Sequence, residues 1–126
     1  MVSIMDFRSS VVIIGCFGLI YTGCSPPMQT LEIYNNGQSK LVREYKVISS
    51  SLGTDSITVK LIKYYRNGIK HYQQDIMKNQ SNGKYYSWHP TGVMFAKGKY
   101  LNGKLSDKWI WWGKDGLPDS IRTFRK

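Results

Sequence analysis

Two histidines and four carboxylates in the second half of this chain are its best candidates for acid–base or metal chemistry. His71 and His89 are well separated in sequence, and neither has a histidine or cysteine at metal-pair spacing. The carboxylates are Asp75, Asp107, Asp115 and Asp119, of which Asp107 and Asp115 lie beside lysines. An enzyme would need a pocket that joins a histidine to a carboxylate, with a nucleophile in reach. We therefore predict a non-enzymatic protein with no catalytic residues, no metal site and no cofactor.

A repeat sets the positions of these residues. Gly68, Gly92 and Gly116 follow one another at equal intervals along the chain. The same interval separates Lys60, Lys84 and Lys108, and it separates three apolar sets: Leu61/Tyr85/Trp109, Ile62/Tyr86/Ile110 and Tyr64/Trp88/Trp112. A fixed period of this length is typical of a repeated supersecondary unit, which usually supplies a surface.

Each repeat predicts a β-hairpin, so the fold class is all-β, an elongated antiparallel β-hairpin array without helices. The predicted strands are Val59–Tyr65, Ile69–Met77, Lys84–Trp88, Val93–Leu101, Lys108–Trp112 and Leu117–Phe124. The three repeated glycines end tight turns, where they supply a positive φ. Wider turns are expected at Asn79 to Gly83 and Asn102 to Asp107. Pro118 predicts that the last strand is an edge, because proline cannot donate to a ladder.

Residues 31–56 predict a divergent first hairpin and a loop, ahead of a repeat domain at 57–126. Asn36-Gly37 lies between two alternating runs, which is a strong hairpin signal. The segment Ser49 to Asp55 interrupts the alternation and predicts the loop.

An even period keeps equivalent residues on one face of a sheet, because strand side chains alternate. We expect one aromatic-aliphatic stripe to form the core: Ile62, Tyr64, Tyr86, Trp88, Ile110 and Trp112. Trp109, Trp111 and Tyr85 then face outward, and with Lys84 and Lys108 they form our candidate binding surface. The alternative is that the outward rings are covered and form a second small core.

Residues 1–23 predict a lipoprotein signal peptide. Val11 to Tyr21 is almost purely apolar but shorter than the ~20 residues of a spanning helix. Tyr21-Thr22-Gly23-Cys24 resembles the bacterial lipobox, so Cys24 is the predicted lipidation site and residues 24–30 the tether. A second lipobox match, ending at Cys16, would leave before the cleavage site an apolar stretch that is too short to insert into a membrane. An uncleaved anchor, or a signal with an unmodified Cys24, is the alternative.

The chain carries a formal net charge of +10. Asp6 and Arg8 cancel in the signal segment, so the remainder keeps the whole charge. The lysines are spread along the chain, which favours a solvated face. Contact with anionic head groups or acidic polymers is the second interpretation. Export argues against a nucleic-acid partner.

The segment Lys84 to Val93, followed by Gly98 to Lys104 and Asp107 to Trp109, resembles the bacterial MORN-repeat variant, often labelled YwqK-type antitoxin proteins. The resemblance covers about residues 60 to 124. Asp107 departs from it, since glycine is common at that position. The resemblance implies a hairpin array that serves as an interaction platform, for protein partners and sometimes for membrane phospholipids.

Together these patterns predict a lipid-anchored envelope scaffold that binds a protein partner. The alternatives are a binding module for an anionic polymer, glycan or phospholipid head groups, and a toxin–antitoxin component by family label only. Ser25 after Cys24 favours the outer membrane or cell surface over the inner membrane.

Overall fold

The computed structural model describes residues 25–125, which form one open sheet of eight antiparallel strands in sequence order. Every strand pairs with its neighbours in the chain, so each connection is a hairpin. No helix long and apolar enough to cross a membrane is found among these residues. The strands are β1 (Met28–Ile33), β2 (Ser39–Ser50), β3 (Gly53–Tyr64), β4 (Lys70–Met77), β5 (Gln80–Trp88), β6 (Met94–Leu101), β7 (Lys104–Trp112) and β8 (Pro118–Phe124).

Four tight turns along one end of the sheet share a single geometry. In each, the glycine amide donates to the carbonyl three residues earlier, as from Gly68 N to Tyr65 O at 3.0 Å. Gly68, Gly92 and Gly116 have φ values of 87°, 92° and 81°, the positive values expected from the sequence. The turn at Tyr34 to Gln38 has the same bonds, so the first hairpin, at residues 31–56, shares the turn geometry of the repeats. β8 is an edge strand, as Pro118 predicts.

The connections at the opposite end are tighter than the sequence predicts. Strands β4 and β5 are joined by Lys78 and Asn79 alone, with φ of 51° and 62°, and β6 and β7 by Asn102 and Gly103. The wider turns predicted there are wrong, because two-residue turns with positive φ fit the strand twist and let the strands run on. The predicted loop at Ser49 to Asp55 is also wrong, since β2 and β3 continue to a two-residue turn.

The strands have backbone irregularities at three positions that are separated by the repeat period: Val59, Gly83 and Asp107. Val59 is left out of the β2–β3 pairing, Gly83 has a φ of 119°, and Asp107 has a φ of 60°. The interval between these positions equals the interval between the repeated turn glycines. Asp107 therefore takes a backbone conformation that favours glycine.

The sheet has one layer, so both faces must contribute to its packing. One face carries a row paired across seven strands: Val42, Ile62, Gln73, Tyr86, Lys97, Ile110 and Ile121. We name it the lysine face, because Lys84, Lys97, Lys99 and Lys108 also lie on it. The other, the aromatic face, carries the paired row Leu41, Lys63, Tyr72, Ser87, Ala96, Trp111 and Ser120.

The core differs from the single stripe that the sequence predicts. Ile62, Tyr86 and Ile110 do share the lysine face in register, but of the six stripe residues only Ile62 is buried, at 4% exposure. Val42 is buried beside it at 6%. The aromatic face buries Ala96 and Trp109, each at 2%. Within residues 25–125 no second sheet covers the stripe, so burial is divided between the faces.

A ladder of side-chain hydrogen bonds ties the tight turns together. Tyr34 Oη donates to Tyr64 O at 2.8 Å, and Tyr65 Oη donates to Trp88 O at 2.9 Å. His89 Nε2 lies 3.1 Å from Trp112 O, and because a carbonyl only accepts, Nε2 carries the proton. The fourth turn has glycine at this position, so the ladder ends there.

We expect Tyr65→Phe to lower the free energy of unfolding by about 1 kcal/mol, because it leaves the Trp88 carbonyl without this donor. Tyr64→Phe is the matched control, since the Tyr64 hydroxyl makes no hydrogen bond within residues 25–125. Urea unfolding of both variants measures the difference. Equal stabilities would contradict a contribution from the ladder.

Candidate binding surfaces

A continuous row of rings crosses the aromatic face. Tyr72 and Tyr85 are stacked with centroids 6.2 Å apart, Tyr85 and Trp109 are 5.4 Å apart, and Trp109 stacks on Trp111 at 5.6 Å. Tyr100 meets Trp109 edge-on at 5.2 Å. Burial raises the pKa of the Tyr72 and Tyr100 hydroxyls above the ordinary 10.0, which marks the row as apolar.

Trp109 is the best-buried ring of this row. A Cβ atom at Gly98, on the neighbouring strand, would clash with Trp109 Cδ2, so the indole packs directly on the Gly98 backbone. Trp109 Nε1 donates to Lys99 O at 3.0 Å. The interpretation of Trp109 as an outward contact residue is wrong because the indole is buried, and the alternative of a second small core describes it. Tyr85 and Trp111 are half-buried.

Of the two tryptophans in the predicted binding surface, Trp109 and Trp111, it is Trp111 that lines a groove. The groove measures about 490 Å³ and lies near the β8 edge of the sheet. Its lining includes Phe95, Leu105, Trp111, Ser120, Arg122 and Phe124. Phe95 is 42% exposed, so this end of the aromatic face is accessible to a ligand.

The lysine face carries a second groove with a strongly basic lining. It measures about 510 Å³ and is lined by four lysines and one carboxylate around Tyr86 and Ile110: Lys84, Lys97, Lys99, Lys108 and Asp107. Lys84 and Lys99 are directly opposite each other on paired strands. Within residues 25–125, none of the four ammonium groups forms an ion pair with a carboxylate. Lys97 Nζ instead lies 6.0 Å from the Tyr86 ring centroid.

The five residues of the predicted binding surface are divided between the two faces. Lys84 precedes Tyr85 and Lys108 precedes Trp109, and adjacent strand residues point to opposite sides. The two lysines therefore do not surround the tryptophans. Sequence reasoning missed Lys97 and Lys99, although their alternation around Gly98 is a signal that they share a face. Cys24, the predicted lipidation site, lies outside the described residues.

Four of the six candidate acid–base residues have structural roles. His71 stacks on Tyr65 at 4.3 Å, and His89 belongs to the turn ladder. Asp75 Oδ2 accepts from Lys84 N at 3.0 Å, and Asp115 Oδ1 accepts from Leu117 N at 3.0 Å. Among residues 25–125 there is no group of three His, Cys, Asp or Glu side chains that could hold a metal ion.

Comparison with known proteins assigns no family. No protein-family model matches the chain, and searches of curated proteins and of solved structures give no significant match. The fold of residues 25–125 is the antiparallel sheet of eight sequential hairpin strands described above.

His71 makes the stability of the sheet depend on pH. Burial lowers the pKa of His71 below its ordinary 6.5, and the Lys63 ammonium lowers it further. The folded state thus binds the proton less tightly than the unfolded chain. Stability is highest above the unfolded pKa, falls as the pH drops through it, and stops falling below the folded pKa.

We expect His71→Phe to flatten this dependence, and phenylalanine occupies the equivalent position 95 of the next repeat. Between about pH 8 and about pH 5, the natural protein should lose more stability than the variant. Urea unfolding across this range is the measurement. Parallel stability profiles would contradict the assignment to His71.

Proposed function

We propose that this protein is a non-enzymatic binding module whose lysine face holds a phosphate-bearing anionic ligand at the cell envelope. The observation that carries the proposal is the cluster of Lys84, Lys97, Lys99 and Lys108 around one groove. Clustered ammonium groups without carboxylate partners attract anions, and lysine commonly binds phosphate as a point charge.

The cross-strand lysine pair is the strongest support. Like charges directly opposite each other destabilise a sheet, so Lys84 and Lys99 work against folding. An anion in the groove would remove this repulsion and satisfy both ammonium groups. Lysines also lie close to rings nearby on this face. Lys70 Nζ is 5.7 Å from the Trp88 ring centroid, and Lys97 Nζ is 6.0 Å from the Tyr86 ring centroid. Aromatic rings and lysines on one surface suit the interface between a membrane and water.

The N-terminal sequence supports a membrane source for this ligand. If Cys24 is lipidated, the first residue of β1, Met28, follows it after only a short tether. Fully extended, this tether spans about 13 Å, which would hold the sheet close to the head groups. Each lysine near an anionic surface contributes about 1 kcal/mol to membrane binding. The MORN-repeat resemblance agrees with a platform of this kind.

A scaffold that binds an envelope protein is the second candidate. Strand β1 favours it, because all six of its residues are exposed and, among the strands formed by residues 25–125, it pairs with β2 alone. A partner could add a strand there. The toxin–antitoxin label rests on the family resemblance alone, and no described residue supports it.

The lysine face is tested with two triple variants of equal net charge. Lys84, Lys97 and Lys99 are changed to Gln in the first, and Lys63, Lys78 and Lys114 in the control. Binding is measured to phosphatidylglycerol vesicles, to phosphatidylcholine vesicles and to inorganic polyphosphate. We expect the first variant to lose about a hundredfold in affinity for anionic vesicles, since three lysines are removed.

The control should change by less than about threefold, because its lysines are dispersed. Equal losses in both variants would contradict a specific lysine face. Binding to polyphosphate without binding to phosphatidylglycerol vesicles would identify a soluble polymer and not a bilayer as the ligand. Capture of an envelope protein by both variants alike would favour the scaffold.

A further inference from the structure

The groove beside Trp111 combines aromatic rings with polar groups, unlike the basic groove on the other face. Phe95 and Trp111 supply rings, and Asp119, Ser120 and Arg122 of β8 supply hydrogen-bonding groups. The groove has a volume of about 490 Å³. It is independent of the lysine face, because the sheet separates the two.

Phe95 and Trp111 are held in place by packing behind them. Trp111 stacks on Trp109 with an interplanar angle of 25°, and Trp109 is fixed by the Gly98 backbone and the Lys99 carbonyl. Phe95 meets His89 edge-on at 5.0 Å, and His89 is bonded to Trp112 O. A ligand that stacks here therefore needs little further ordering of the protein, which favours binding.

The polar groups of the groove are available for a ligand. Within residues 25–125, the side chains of Asp119, Ser120 and Arg122 make no hydrogen bond or ion pair with another side chain. They follow one another along an edge strand, beside the ring of Trp111, with which Ser120 is paired in register. A carboxylate, a hydroxyl and a guanidinium together offer both acceptors and donors.

We propose that this groove binds a pyranose ring of a β-linked oligosaccharide. Such a ring has an apolar face of C–H groups, which suits Trp111, and a rim of hydroxyls, which suits Asp119 and Arg122. A purely apolar ligand would leave the carboxylate and guanidinium without partners. A phosphate-bearing anion would be repelled by Asp119 and has the lysine face instead.

The test is titration of the purified protein with cellotetraose and with the β-1,4-linked tetramer of N-acetylglucosamine, followed by calorimetry and NMR. We expect saturable binding of at least one tetrasaccharide. Trp111→Ala should weaken it by about tenfold or more, as for an aromatic hot spot. Trp88→Ala is the matched control on the lysine face and should leave the affinity unchanged.

Asp119→Asn keeps the shape of an exposed side chain, so it tests the groove even if Trp111→Ala fails to fold. It should weaken binding by about threefold to tenfold through loss of a charged acceptor. The proposal is overturned if neither tetrasaccharide binds, or if folded Trp111→Ala and Asp119→Asn proteins bind as tightly as the natural one.

Discussion

The absence of a second layer over the sheet in residues 25–125 is the constraint on which the described structure depends. In a two-layer protein, one face of each strand is packed and the other is solvated. Here the side chains on each face can pack only against others on the same face. Stability therefore comes from rows that cross the strands, such as Val42 beside Ile62 on one side and Trp109 over Gly98 on the other. From Lys60 onward, the constant, even period of the repeat keeps such rows in phase.

The same constraint divides the chemistry of the protein. Lys84 and Tyr85 are neighbours in sequence, as are Lys108 and Trp109, and each pair separates its charge from its ring across the sheet. Repetition then places Lys84 and Lys108 on one face, and Tyr85 and Trp109 on the other. A protein built this way can present two different surfaces without a deep cavity. This is the physical basis for proposing an anionic ligand on one face and a sugar on the other.

Several features of the fold could be predicted because they depend on local sequence. The glycines of the tight turns, the alternation of the strands and Pro118 at the edge all act through their own backbone geometry. The all-β hairpin array is confirmed for the same reason. The two-residue turn of Lys78 and Asn79 could not be predicted in this way, because neither is a glycine and yet both take a positive φ.

The candidate sites were harder to predict because they depend on which residues meet across strands. Trp109 is buried only because Gly98, on the preceding strand, lies against it and has no side chain. The basic groove exists because β6 brings Lys99 opposite Lys84. Sequence spacing identified Lys84 and Lys108, but the contribution of Lys97 and Lys99 follows from the pairing register, which the period alone does not specify.

The packing of Trp109 on Gly98 is tested most directly by NMR of the purified protein. The account predicts nuclear Overhauser contacts from the Trp109 indole to the Gly98 α-protons, which should also be shifted upfield by the ring. The indole N–H, bonded to the Lys99 carbonyl, should exchange slowly with water. A rapidly exchanging Trp109 N–H with no contact to Gly98 would contradict the cross-strand register and the two-faced sheet that depends on it.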